Sequence, residues 1–212
     1  MIAVIDYGVG NLFSLTASLK YLGADVKVTG EKEEIEAADR IILPGVGAFA
    51  DAKEKLDQTG LVETILQQTA DGKPLLGICL GMQLLFDESH EYGVHKGLGL
   101  IKGKIASIDE DLKKAGIAGL KVPHIGWNSL QFEKDEPLFR YNKPGDYVYY
   151  VHSFYGTDCE ESIIATSEYG VTITGAVRSG KVYGTQFHPE KSGAVGLRIL
   201  RAFAMGEEDA AC

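Results

Sequence analysis

The chain has 212 residues, of which 45% are apolar and 24% charged, the balance of a globular protein whose length suits one large domain. A formal net charge of −9 without any basic cluster argues against a nucleic-acid partner, because such binding leans on Lys and Arg against phosphate. The three cysteines, Cys79, Cys159 and Cys212, have no paired spacing, which argues against a disulfide framework and against a zinc site.

A reducing, cytoplasmic setting is the default expectation for so few cysteines. "MIAVIDYGVG" begins directly in a strand-like run, with no basic segment of a signal peptide. No apolar stretch is long enough to span a bilayer, so no membrane partner is expected. Only the acidic tail "GEEDAAC", 206–212, lacks a folded pattern, leaving residues 1–205 as a single domain.

The run at 2–6 is a buried strand that meets Gly8 and Gly10. Leu12, Leu15, Leu19 and Leu22 then follow helical spacing until Gly23. A strand is expected at 25–29 and another at 40–43, the second broken by Pro44 and Gly45. Helices are expected at about 48–57 and 61–70, a strand at 74–78, and a helix over "LGMQLLF" after Cys79. Such alternation implies an α/β fold, with a mostly parallel central sheet and helices on both faces. Its ligand site would lie beyond the C-terminal ends of the strands.

From about residue 97 the texture changes. Short β-branched or aromatic runs at 104–108, 128–132, 146–154, 162–167, 171–180 and 181–187 suggest an antiparallel strand-rich second half, with "RSGK" as one hairpin turn. A final helix is expected over 195–205.

"GICLG" (77–81) has the form of a nucleophile elbow with cysteine in the place of serine. A sharp strand-to-helix turn strains the central residue, and flanking glycines remove side chains that would collide there. A helix N-terminus beside the sulfur favours thiolate over thiol. The pentapeptide alone leaves a small buried cysteine equally open. "QFHPE" (186–190) offers His188 as a base and Glu190 as the group that orients it. "LPGVGAF" (43–49) frees backbone N–H groups for an oxyanion, with Leu80 N–H as a second donor.

"LPGVGAF", "GICLGMQLLF" and "QFHPEKS", in this order, resemble the class I (triad) glutamine amidotransferases. "DYGVGNL", "PHIGWN" (123–128) and "YYVHSFY" (149–155) narrow the resemblance to the glutaminase subunits of imidazole glycerol phosphate synthases, over residues 4 to 200. The resemblance implies a flavodoxin-like three-layer architecture and hydrolysis of glutamine to glutamate through a cysteinyl thioester. It makes Cys79 the nucleophile, His188 the acid/base and Glu190 the orienter. Val46, Gly47 and Leu80 would form the oxyanion hole; Gln83, Glu91, His152, Ser153 and Phe154 would bind glutamine.

The resemblance also implies a (β/α)₈-barrel cyclase as partner in a heterodimer of histidine biosynthesis, and no cofactor or metal. Asn11, the "PHIGWN" loop with Trp127, Tyr149 and Lys191 would meet that barrel. The glycine-rich "PGVG" loop would switch on when the cyclase binds its ligand. The alternatives are an amidotransferase subunit feeding a different synthase, a cysteine-containing scaffold, and a Cys-His peptidase.

Overall fold

A computed structural model describes residues 1–206. The acidic tail beyond Gly206, including Cys212, lies outside the described residues. The first half runs β1 (Ile2–Ile5), α1 (Leu12–Tyr21), β2 (Val26–Thr29), α2 (Lys32–Ala37), β3 (Arg40–Leu43), α3 (Phe49–Gln58), α4 (Leu61–Ala70), β4 (Leu75–Ile78) and α5 (Leu80–Leu84). Next come β5 (Phe86–Ser89), β6 (His95–Lys96), β7 (Ile101–Ser107), α6 (Ile108–Lys114), β8 (His124–Ser129) and β9 (Gln131–Phe132). The chain continues through β10 (Tyr147–His152), β11 (Phe154–Thr157), β12 (Ile163–Tyr169), β13 (Val171–Ser179), β14 (Val182–Thr185) and α7 (Gly193–Met205).

The main sheet has eight strands in the order β2-β1-β3-β4-β14-β13-β12-β9. Its first five strands pair in parallel and its last three extend it antiparallel. Strand alternation divides the core between the faces. Ala3, Ile5, Ile41, Leu43 and Leu75 pack with Ile35 of α2, Phe49 and Leu56 of α3, and Ile65 of α4. Ile2, Val4, Ile42, Leu76 and Ile78 pack with Leu15 and Leu19 of α1 and with Ile199, Leu200 and Phe203 of α7. Helices cover both faces, as the alternation predicts.

Two smaller sheets complete the fold: β10-β8 and β11-β7-β5-β6. Here the sequence reading needs four corrections. The helix expected over "LGMQLLF" stops at Leu84, and Phe86 opens β5 in a different sheet. The continuous strand expected at 146–154 breaks at Ser153, where β10 and β11 part to separate sheets. "PHIGWN" is not a loop: His124 onward forms β8, with Trp127 opposite Tyr149. Helices α2 and α6 were not expected, being short and largely charged.

The decisive feature is the place of β14. It lies in parallel beside β4, with Thr185 opposite Ile78. The turns after β3, β4 and β14 therefore open side by side at one edge of the sheet, and they carry the three motifs.

Candidate active site

Cys79 follows β4 with φ 53° and ψ −110°, a left-handed conformation that an L-residue adopts only under constraint. Its N–H donates to Thr185 O at 2.7 Å and its C=O accepts from Gln83 N–H at 3.1 Å. The flanking glycines serve the neighbouring backbone rather than clearing room around the sulfur. A Cβ on Gly81 would lie 1.9 Å from Leu43 O, and one on Gly77 would lie 2.7 Å from Gly81 O. Only with both positions bare can the elbow pack against β3. Because α5 is one short turn and a half, its terminus offers the sulfur less help than the expected longer helix would.

A cavity of about 330 Å³ opens at this edge. Cys79 and His188 face it from adjacent strand ends, and Val46, Gly47 and Leu80 line it beside them. Gln83, Glu91, the 152–154 segment and Lys191 line it as well. Cys79 is 7% exposed and reaches this space, so it is not walled off in the core. A second hollow of about 210 Å³, beside Arg40, Lys181 and Tyr183 at the strands' N-terminal ends, holds none of the predicted residues.

His188 and Glu190 are both buried, with Nδ1 2.8 Å from Glu190 Oε1. A carboxylate oxygen accepts, so Nδ1 carries the proton and Nε2 is left for the sulfur side. Nε2 has no hydrogen bond in the resting geometry, although Cys79 lies near enough to act on its charge. Burial alone would lower the imidazole pKa, but Cys79 and Glu190 outweigh it and hold it at about 9. Pro189 between them starts a short 3-10 turn, which lets both side chains leave on one side.

The loop after β3 starts fixed and ends free. Tyr7 Oη donates to Pro44 O at 2.7 Å, and burial followed by the Cys79 charge pushes this phenol's pKa up. A Cβ on Gly45 would meet Gly81 N at 2.8 Å. Beyond it Val46 is 41% exposed, and Gly47 sits at φ +102° with open space around it.

Of the residues expected to bind glutamine, Gln83, His152 and the Phe154 carbonyl join a buried polar chain. Gln83 Nε2 donates to Phe154 O at 2.9 Å and to Gln186 Oε1 at 3.1 Å. His152 Nδ1 lies 2.9 Å from the same carbonyl, so that nitrogen is protonated and its Nε2 accepts from His124 Nδ1 at 3.0 Å. Desolvation lowers His152 to about 3 and His124 to about 4. Both rings are thus neutral at pH 7, and neither competes with His188 as a base. Glu91 lines the cavity, but its Oε2 already accepts from Phe49 N–H at the start of α3.

Of the residues expected at a partner surface, Trp127 is 53% exposed and meets Tyr149 edge-on at 6.1 Å between centroids. Asn11 caps α1 by accepting from Ser14 N–H at 3.4 Å. Sequence reasoning missed Gln186, whose Nε2 is 3.8 Å from Cys79 Sγ. It stands two residues before His188, in the turn that follows β14. It also missed His124 and Tyr7, which no spacing marks.

A family model described as glutamine amidotransferase class-I matches residues 3–206. The chain belongs to the class I glutamine amidotransferase family. A Bacillus licheniformis protein called imidazole glycerol phosphate synthase subunit HisH is 51% identical over 204 residues, covering 96% of this chain and 95% of its own length. A Geobacillus kaustophilus protein of the same name is 50% identical, with the same coverage. Among solved structures, a crystal structure of a glutamine amidotransferase superposes with a TM-score of 0.72 at 20% identity, covering 96% of this chain and 97% of its own. The structure of PurLQS from Thermotoga maritima does so at 0.73 and 19%, covering 95% and 96%. At such identities the likeness speaks for the fold.

Proposed function

We propose that the chain is the glutaminase subunit of imidazole glycerol phosphate synthase, with Cys79, His188 and Glu190 as its catalytic triad. The observation that carries this reading is the buried Glu190–His188 pair facing Cys79 across one cavity at adjacent strand ends. The imidazolium beside the sulfur favours thiolate. The thiolate attacks the side-chain amide carbon of glutamine, and the oxyanion meets N–H groups of the Val46–Gly47 loop and of Leu80. His188 protonates the departing nitrogen, the C–N bond breaks and ammonia leaves. Water then adds to the thioester, giving its proton to His188; the C–S bond breaks and glutamate is released. Gln83, Glu91 and the 152–154 segment hold the substrate's far end.

Ammonia in neutral water is mostly protonated and no longer nucleophilic, so delivery through a protein partner follows. The outer face of the β10-β8 ribbon presents Ile125, Trp127 and Tyr147 to solvent, an apolar patch suited to an interface. We assign it, with Asn11, Tyr149 and Lys191, to the (β/α)₈-barrel cyclase. Tyr149 also touches the triad loop directly. His188 N–H donates to Tyr149 O at 2.9 Å, and Ser192 Oγ accepts from Tyr149 N–H at 3.0 Å. A cyclase pressing on this ribbon acts on the same backbone that holds His188.

Residues 1–205 work as one domain in this reading, in the cytoplasm; among the described residues no helix is long and apolar enough to cross a membrane. The test is to purify the chain with a cyclase subunit and measure glutamate released from glutamine, with and without the cyclase's ligand. Activity that needs both, and is lost in Cys79→Ala, is expected. Brisk hydrolysis by the isolated chain refutes the switch, and activity surviving Cys79→Ala refutes the triad.

A further inference from the structure

The hydrogen-bond chain beside Cys79 fixes which way the Gln186 amide points. The Phe154 carbonyl can only accept, and Gln83 lies 2.9 Å from it. Gln83 must therefore turn its NH₂ toward Phe154, and the second hydrogen of that group faces Gln186 at 3.1 Å. Gln186 must answer with its oxygen. That leaves its own NH₂ facing Cys79 Sγ at 3.8 Å, within reach for a hydrogen bond to sulfur. Reversing Gln83 would set its oxygen against both the Phe154 carbonyl and Gln186 Oε1, and reversing Gln186 would set its NH₂ against that of Gln83 and its oxygen against sulfur. Gln186 is 0% exposed and Gln83 5%, so little water competes for these groups.

We infer that the Gln186 carboxamide is a further catalytic group, donating an N–H to the Cys79 sulfur and holding it as thiolate, in an orientation fixed by the Phe154 carbonyl through Gln83. This rests on Cys79 being the nucleophile. With α5 only five residues long, this N–H adds to what the His188 imidazolium gives the sulfur. The bond is strongest when sulfur carries the electron pair: before attack on the amide, and again when the thioester C–S bond breaks and the pair returns to sulfur. It is weakest while sulfur is acylated, so it raises the share of thiolate before attack and stabilises the thiolate as it leaves the thioester.

The test reads Cys79 directly. The full-length chain is alkylated with iodoacetamide across pH, and modification of Cys79 is followed by peptide mass spectrometry. Gln186→Met keeps the side chain's length and removes the donor. The pH of half-maximal alkylation is expected to rise by about one unit, the scale of one hydrogen bond to a charged group. Gln83→Met leaves Gln186 in place but unoriented, and a smaller rise is expected. The double variant should move no further than Gln186→Met. Thermal unfolding confirms that each variant is folded, and Gln83→Met decides if Gln186→Met is not. An unmoved midpoint in a folded variant of either residue overturns the inference. If wild-type Cys79 itself alkylates only as an ordinary thiol does, the triad reading fails instead, and the two failures are distinct.

Discussion

The wall that carries Cys79 and the wall that carries Val46 and Gly47 follow neighbouring strands, yet they hold their backbones in different ways. The Cys79 turn is clamped: two glycines lie in backbone-to-backbone contact, and both peptide groups of Cys79 are hydrogen-bonded. The other turn is clamped only at Pro44 and Gly45, then runs exposed through Val46 into open space at Gly47. A nucleophile must be held in a strained conformation at all times, so its turn is over-determined. In the proposed mechanism an oxyanion donor is needed only in the transition state, so its turn can keep freedom for the proposed partner to remove.

The largest test of that contrast is chemical. Cys79→Ala should lower glutamine-dependent glutamate release by about 10⁴-fold or more in the complex, with unfolding in urea showing a folded protein. Gly81→Ala comes next. With Leu43 O 1.9 Å from the new Cβ, backbone must move, and a loss of about 4 kcal/mol or a failure to fold is expected by denaturant titration. A Gly81→Ala protein of near-native stability would break the comparison.

Acid then probes the buried polar chain that runs from Gln83 to His124. His124 and His152 have pKa values lowered to about 4 and 3. Their neutral forms stabilise the fold above the unfolded histidine value, about 6.5, and this is lost as pH falls from there toward the folded values. Together they should cost about 3–4 kcal/mol between pH 7 and pH 5. His188, raised to about 9, acts in the opposite sense: its contribution is full below about 6.5 and fades as pH rises through 9. Urea midpoints across pH should show both flanks, and replacing both buried histidines with Gln should flatten the acid one.

Gly47→Ala is the smallest change. The new Cβ meets nothing within 4 Å, so only the φ of +102° opposes it, at about 1 kcal/mol. Its stability should barely change while its cyclase-dependent activation changes more. Loss of stability as large as that of Gly81→Ala would mean that the second wall is clamped too.

Much of this was legible in the chain. The parallel strands, the helices between them and the elbow at Cys79 follow from local periodicity and glycine placement, which act within a few residues. Glu190 two residues past His188 could be read as a pair for the same reason. What escaped was non-local. "PHIGWN" reads as a loop until Tyr147–His152 pairs with it. Gln186 reads as a strand residue until Gln83, more than a hundred positions earlier, takes its oxygen. Glu91 reads as a residue for the substrate alone until Phe49 N–H meets it.

The sequence by itself determined the kind of chemistry, because a cysteine in a glycine elbow and a His-x-Glu pair are local patterns with few other uses in combination. Only the tertiary structure decided that they share one cavity. That turned on β14 joining β4 in parallel, a long-range pairing that no window of residues encodes and that burial of both sheet faces selects.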